Sequence, residues 1–197
     1  MLAGRDLAVL RPRDSEALID EHAFEHEEFL PYWAELWPSG LALARRVAVR
    51  ALHGARTLEL GCGLALPSLA AALAGGRALA TDWSPQAIEL ARGNAARNGI
   101  ALEAERADWG APATLLERAP WDVVLGADLL YERRNADLLL PLLPRLVGPA
   151  SEVWLADPGR PPAGPFLEAA AAAFEIVSSD DPLLPQGGVH RLRKNGA

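Results

Sequence analysis

Four groups of residues carry side chains whose types and spacing could do chemistry. Glu59-Leu60-Gly61-Cys62-Gly63 ends a strand-like segment, Arg56 to Gly61, on two closely spaced glycines. Such glycines permit a tight turn and let a ligand approach the backbone. Asp82 lies 19 residues beyond Gly63, and Asp108-Trp109 sets a carboxylate beside an indole. The fourth group, Asp128-x-x-Tyr131, follows the unbroken run Val123 to Ala127. A carboxylate at the end of a buried run can orient a cation or take a hydrogen bond from a protic nucleophile. A phenol three residues on can hold polar atoms or pack beside methylenes.

These groups need elements to bring them together. From about residue 54 the pattern alternates: strands at 56–61, 77–82, 101–108, 121–128, 151–157, 175–180 and 188–193, with helices at 67–75, 84–99, 136–147 and 166–174 between them. Ser84 as cap, Pro85 at the first helical position and Gly99 as stop delimit the clearest helix. The preceding residues, 1–53, read as an acidic helix from Asp14 to Leu30, an aromatic-rich link, and a helix starting near Pro38. The expected fold is a single α/β domain over 1–197. It has a Rossmann-like seven-stranded, mostly parallel sheet, helices on both faces and an antiparallel last strand. Parallel sheets bind ligands beyond the carboxyl ends of their strands. Glu59, Asp82, Asp108, Asp128 and Asp157 all fall at or near that edge.

The glycine loop lacks the third glycine of a dinucleotide fingerprint, since Leu66 stands there. With Asp82 placed to accept from two ribose hydroxyls, and with Asp108-Trp109, the set fits an adenosine ligand without a pyrophosphate. Composition narrows the partners. The formal net charge of −7 opposes nucleic-acid binding, which requires a basic face. No apolar run is long enough to span a bilayer, so a soluble, cytoplasmic protein is expected. One cysteine, Cys62, leaves no internal disulfide and no thiolate metal cage. Lys194 is the only lysine.

The motif series Glu59-x-Gly61-x-Gly63, Asp82 and Asp108-Trp109 resembles that of class I S-adenosylmethionine-dependent methyltransferases. "PYWAELWPSGLALAR", "WDVVLGADLLYE" and "LADPGRP" resemble, more narrowly, methyltransferase family 16, the seven-β-strand protein lysine methyltransferases. "DPGRP" and "WPSG" look closest to the electron transfer flavoprotein β-subunit lysine methyltransferase branch. The resemblance implies S-adenosyl-L-methionine as cofactor. It places Gly61 and Gly63 (with Glu59 ahead of them) around the methionine part, Asp82 on the ribose, and Asp108 and Trp109 at the adenine. Ala127 then lies near the methyl group and Trp37 closes over the methionine end. Ala65 stands where the family often has a further glycine. Asp128 and Tyr131 become the catalytic pair, with a protein lysine as the acceptor.

Plainer readings stand beside these. Asp128 could cap the next helix, Tyr131 could simply pack, "DPGR" could be only a turn, and Trp33 reads as core. His22 to His26 matches a zinc-protease pattern, H-x-x-E-H, without an evident third ligand, so no metal is expected. A small-molecule N- or O-methyltransferase and a non-catalytic binding module are the competing functions. Oligomeric state, the number of methyls and self-methylation at Lys194 stay open.

Overall fold

A computed structural model describes residues 4–13 and 32–196. The predicted helix at 14–30 and the His22–His26 pattern lie outside the described residues. Seven strands form one sheet: β1 (Arg56–Leu60), β2 (Arg77–Asp82), β3 (Glu103–Arg106), β4 (Trp121–Ala127), β5 (Val147–Asp157), β6 (Phe174–Ser179) and β7 (Gly188–Lys194). Their order is β3-β2-β1-β4-β5-β7-β6, with β1 to β5 parallel and β7 antiparallel to both its neighbours. The reversed strand comes last in the chain, as the sequence pattern predicts.

Helices α1 (Pro38–Ala48), α2 (Leu66–Leu73) and α3 (Pro85–Asn98) cover one face. On the other lie α4 (Ala113–Glu117), α5 (Arg133–Leu146) and α6 (Ala163–Ala170). Central strands buried on both faces explain the apolar run Val123 to Ala127 in β4 and the burial of Thr57 to Leu60 in β1. In α3, Ser84 accepts from the Ala87 N–H and Gly99 takes the left-handed position just past the last turn. Helix α5 tolerates Pro141 and Pro144 because Leu139, Leu142, Leu143 and Leu146 anchor its inner face.

Several elements differ from the sequence pattern: β3 is shorter than 101–108, β5 starts at Val147 and not at 151, and α5 starts at Arg133 and not at 136. Helix α4 has only five residues and one buried side chain, Leu115, too short to display a period. Helix α6 runs from Ala163 to Ala170, not 166–174, because Gly164 and Pro165 fit a first turn and Ala163, Phe166 and Ala170 supply the buried stripe.

An extended stretch, residues 4–13, is tied to α3 by two buried asparagines. Asn98 accepts from the Ala8 N–H and donates to its carbonyl, both at 2.9 Å. Asn94 does the same with Leu10 and also donates to the Leu64 carbonyl in the glycine loop at 3.1 Å.

The strand order reverses between β1 and β4, which opens a crevice at their carboxyl ends. Leu60 is in register with Thr81 on one side and Gly126 on the other. Gly61, Asp82 and Ala127 therefore leave the sheet side by side.

Candidate active site

The crevice is a cleft of about 600 Å³. All ten residues singled out above line it: Trp37, Glu59, Gly61, Gly63, Asp82, Asp108, Trp109, Ala127, Asp128 and Tyr131. Trp33 also lines it and is half-buried, not part of the core. Asp157 does not line it.

One side of the cleft is built on backbone hydrogen bonds. The glycine turn is held as the Cys62 N–H donates to Thr81 and the Ala65 N–H to Cys62. Gly63 has φ +48°, and a Cβ there would sit 2.9 Å from the Trp33 carbonyl oxygen, so only glycine fits. Ala65 takes φ 60° and ψ 30°, the left-handed region, at the residue before α2. Asp82, 4% exposed, accepts the Gly63 N–H on Oδ2 and the Ser84 N–H on Oδ1, each at 3.0 Å. Glu59, 1% exposed, accepts the Ser68 N–H at 2.8 Å and so caps α2 from the neighbouring strand. Burial pushes the Glu59 carboxyl up to about 8 and raises the Asp82 carboxyl as well. Burial also lifts the Cys62 thiol well above its ordinary range, helped by the Asp82 and Glu59 charges, which makes it an inert filler. The Asp108 Oδ1 accepts the Gly110 N–H at 2.7 Å, and Trp109 packs over Gly61.

Across the cleft, side chains hold other side chains. Asp128 has φ +55°, a conformation that Asp tolerates better than most residues. Its N–H donates to the Ala156 carbonyl, and its carboxylate, 7% exposed, takes both ends of the Arg160 fork at 2.9 and 3.2 Å. The same guanidinium lies over the Trp37 ring, 5.7 Å from its centre. Trp37 donates its indole N–H to the Tyr32 carbonyl, and the Tyr32 ring meets Tyr131 at 5.2 Å. Burial raises the Tyr131 phenol above its ordinary value.

Arg160 and Tyr32 are site residues that sequence reasoning misses. The available signal for Arg160 is "DPGR": Asp157 Oδ1 accepts the Gly159 and Arg160 N–H groups at 2.8 and 2.7 Å. The turn is real, and its product is an arginine thrown back across the cleft to Asp128. Among the described residues no group of three or more His, Cys, Asp or Glu is placed to hold a metal ion.

Residues 31–164, which contain every cleft residue named above, match the family described as lysine methyltransferase. The chain belongs to that family. A relative, the electron transfer flavoprotein beta subunit lysine methyltransferase of Xenopus laevis, is 35% identical over 135 residues, covering 66% of this chain and 53% of that one. The histone-arginine methyltransferase METTL23 of the same organism is 32% identical over 133 residues, or 62% of this chain and 56% of that one. The chain thus spans about half the length of the curated relatives it matches. A solved TehB-like SAM-dependent methyltransferase from Corynebacterium glutamicum shares the fold, with TM-score 0.62 at 18% identity over 88% of this chain and 96% of that one.

S-adenosylmethionine is the cofactor of this family member, and the cleft fits it. Each Asp82 oxygen accepts one backbone N–H and keeps a lone pair for a ribose hydroxyl. Gly61 and Gly63 line the cleft as backbone without side chains, and Trp109 offers a face for a base.

Proposed function

We propose that the protein transfers a methyl group to a lysine side chain of another protein. The observation that carries this reading is Asp128. A buried carboxylate, aimed by a left-handed backbone, stands between the glycine loop and an aromatic wall open to solvent. When bound, S-adenosylmethionine supplies an electrophilic methyl carbon on a sulfonium. Gly61, Gly63 and Asp82 would hold the cofactor, Asp108 and Trp109 its adenine, and Ala127 its methyl-bearing end. Asp128 would accept an N–H from the acceptor amine and so turn the amine's own lone pair toward the cofactor. In the transfer a C–N bond would form as the C–S bond breaks, with the electron pair left on sulfur and the amine proton released to solvent. Trp37, Tyr32 and Tyr131 strip water from the amine, and holding it in line supplies most of the rate. Glu59 acts one step back, fixing the helix that follows the loop.

A protein acceptor is favoured by the rim, where Tyr32, Leu36 and Tyr131 are exposed. The name of the Xenopus laevis relative supports lysine and suggests the electron transfer flavoprotein β-subunit as the first acceptor to try. The acidic balance disfavours nucleic acid. No helix among the described residues is long and apolar enough to cross a membrane. We place the reaction in the cytoplasm, consistent with the single thiol.

The test is incubation with methyl-labelled S-adenosylmethionine, recombinant electron transfer flavoprotein and an extract of the source cells. Methyl-lysine in a discrete protein, reduced about 100-fold by Asp128→Asn with S-adenosylhomocysteine binding intact, is expected. Label confined to small molecules, or methyl-arginine in the protein, overturns the reading.

A further inference from the structure

We infer that Arg160 is a positioning residue that neutralises Asp128 while keeping it a hydrogen-bond acceptor, so that the site takes its acceptor as a neutral amine. The inference deepens the proposed function and rests on it.

An amine must lose a proton before its lone pair can attack. A lone carboxylate beside it works against that loss, because an opposite charge within a few ångströms stabilises the ammonium. Asp128 alone would bind the acceptor well and hold it in the unreactive form. The bidentate guanidinium changes this balance without removing the acceptor oxygens. It engages both at 2.9 and 3.2 Å, and each oxygen retains lone-pair capacity.

Arg160 is built to stay there. Asp157 pins its backbone N–H, and Gly159 turns the chain at φ +96° against the Gln186 carbonyl, where a Cβ would sit 2.5 Å away. Trp37 covers one face of the guanidinium. Among the described residues, the other charged or titratable groups around the pair are Asp157 and Tyr32 beside Arg160, and Glu35, Glu59, Cys62, Asp82, Arg106, Asp108, Tyr131, Glu132 and Arg134 along the cleft.

The experiment is turnover against pH for the wild type, Arg160→Gln and Arg160→Lys, on the protein that the wild type labels. In Arg160→Gln the rising limb of kcat moves to alkaline pH by about one unit. Turnover at pH 7 then falls about tenfold while KM for the acceptor drops. Arg160→Lys, which restores the charge but not the fork, returns the limb to its wild-type position with a lower kcat. If Arg160→Gln does not fold, Asp128→Asn and the double variant Asp128→Asn/Arg160→Gln decide: the double variant's limb lies about one unit to the alkaline side of the single variant's. A limb that stays put in these variants, with only stability or the plateau reduced, overturns the inference and leaves the proposed function intact. Failure of the wild type to methylate any protein overturns both.

Discussion

The two sides of the cleft are made of different materials. On the β1–β2 side, Glu59 and Asp82 spend their carboxylates on backbone N–H groups of the glycine loop, of α2 and of the turn into α3. Across from them Asp128 holds Arg160, Arg160 lies on Trp37, and Tyr32 leans on Tyr131. Glu59 and Asp82 are almost closed to solvent, whereas Tyr32 and Tyr131 are 41% and 37% exposed. A part that meets an invariant ligand can be welded into the fold. One that receives a protein surface is better made of side chains that can be exchanged without disturbing the sheet.

The contrast makes predictions of decreasing size. Asp82→Ala removes two charge-assisted hydrogen bonds that hold the loop and should weaken S-adenosylhomocysteine about 100-fold by titration calorimetry. Retained affinity would mean that the loop holds itself. Tyr131→Ala should reduce turnover about tenfold, as a lost aromatic contact does, with cofactor affinity within about twofold of wild type. A comparable loss of cofactor affinity would erase the division between the sides.

The smallest effect concerns Glu59. Its carboxyl is raised from 4.5 to about 8 by burial, so the folded state holds a proton that the unfolded chain has released. Stability contributed by that proton falls as pH rises from about 4.5 and is lost by about 8. Glu59→Gln keeps an acceptor for Ser68 without the charge. Its melting temperature relative to wild type should rise by several degrees between pH 5 and 8. A difference independent of pH would show that Glu59 stays ionised when buried.

The same division governs what can be read from the sequence. Glycine spacing, an acid at a strand end and a cap before a helix are local, and local chemistry leaves a local pattern. Asp82 and Gly63 are legible for that reason. Arg160 reaches Asp128 from 32 residues away, and Tyr32 meets Tyr131 from another part of the chain; neither contact has a periodic or spacing signature. Asn94 hides likewise, a polar residue on a buried helix face whose purpose is to join Leu10 to Leu64. β4 is legible because a central parallel strand buries both faces, and Val123 to Ala127 are all apolar or small. The five residues of α4 and the offset of α6 are not, because one buried leucine or a run of alanines is compatible with several boundaries.

Lys194, the one lysine, donates its ammonium to the Pro144 and Val147 carbonyls at the end of α5 and the start of β5. It pairs with Phe174 at the start of β6, the edge of the sheet opposite the cleft. For cross-linking this makes the protein one-handed. Within its 197 residues it offers 26 carboxylate side chains and a single, half-buried side-chain amine. A carbodiimide that joins carboxylates to lysines would therefore couple it to an acceptor almost entirely in one direction. Each covalent bridge would then mark an acidic residue here and a lysine there, and the map of bridges would read out the docked face.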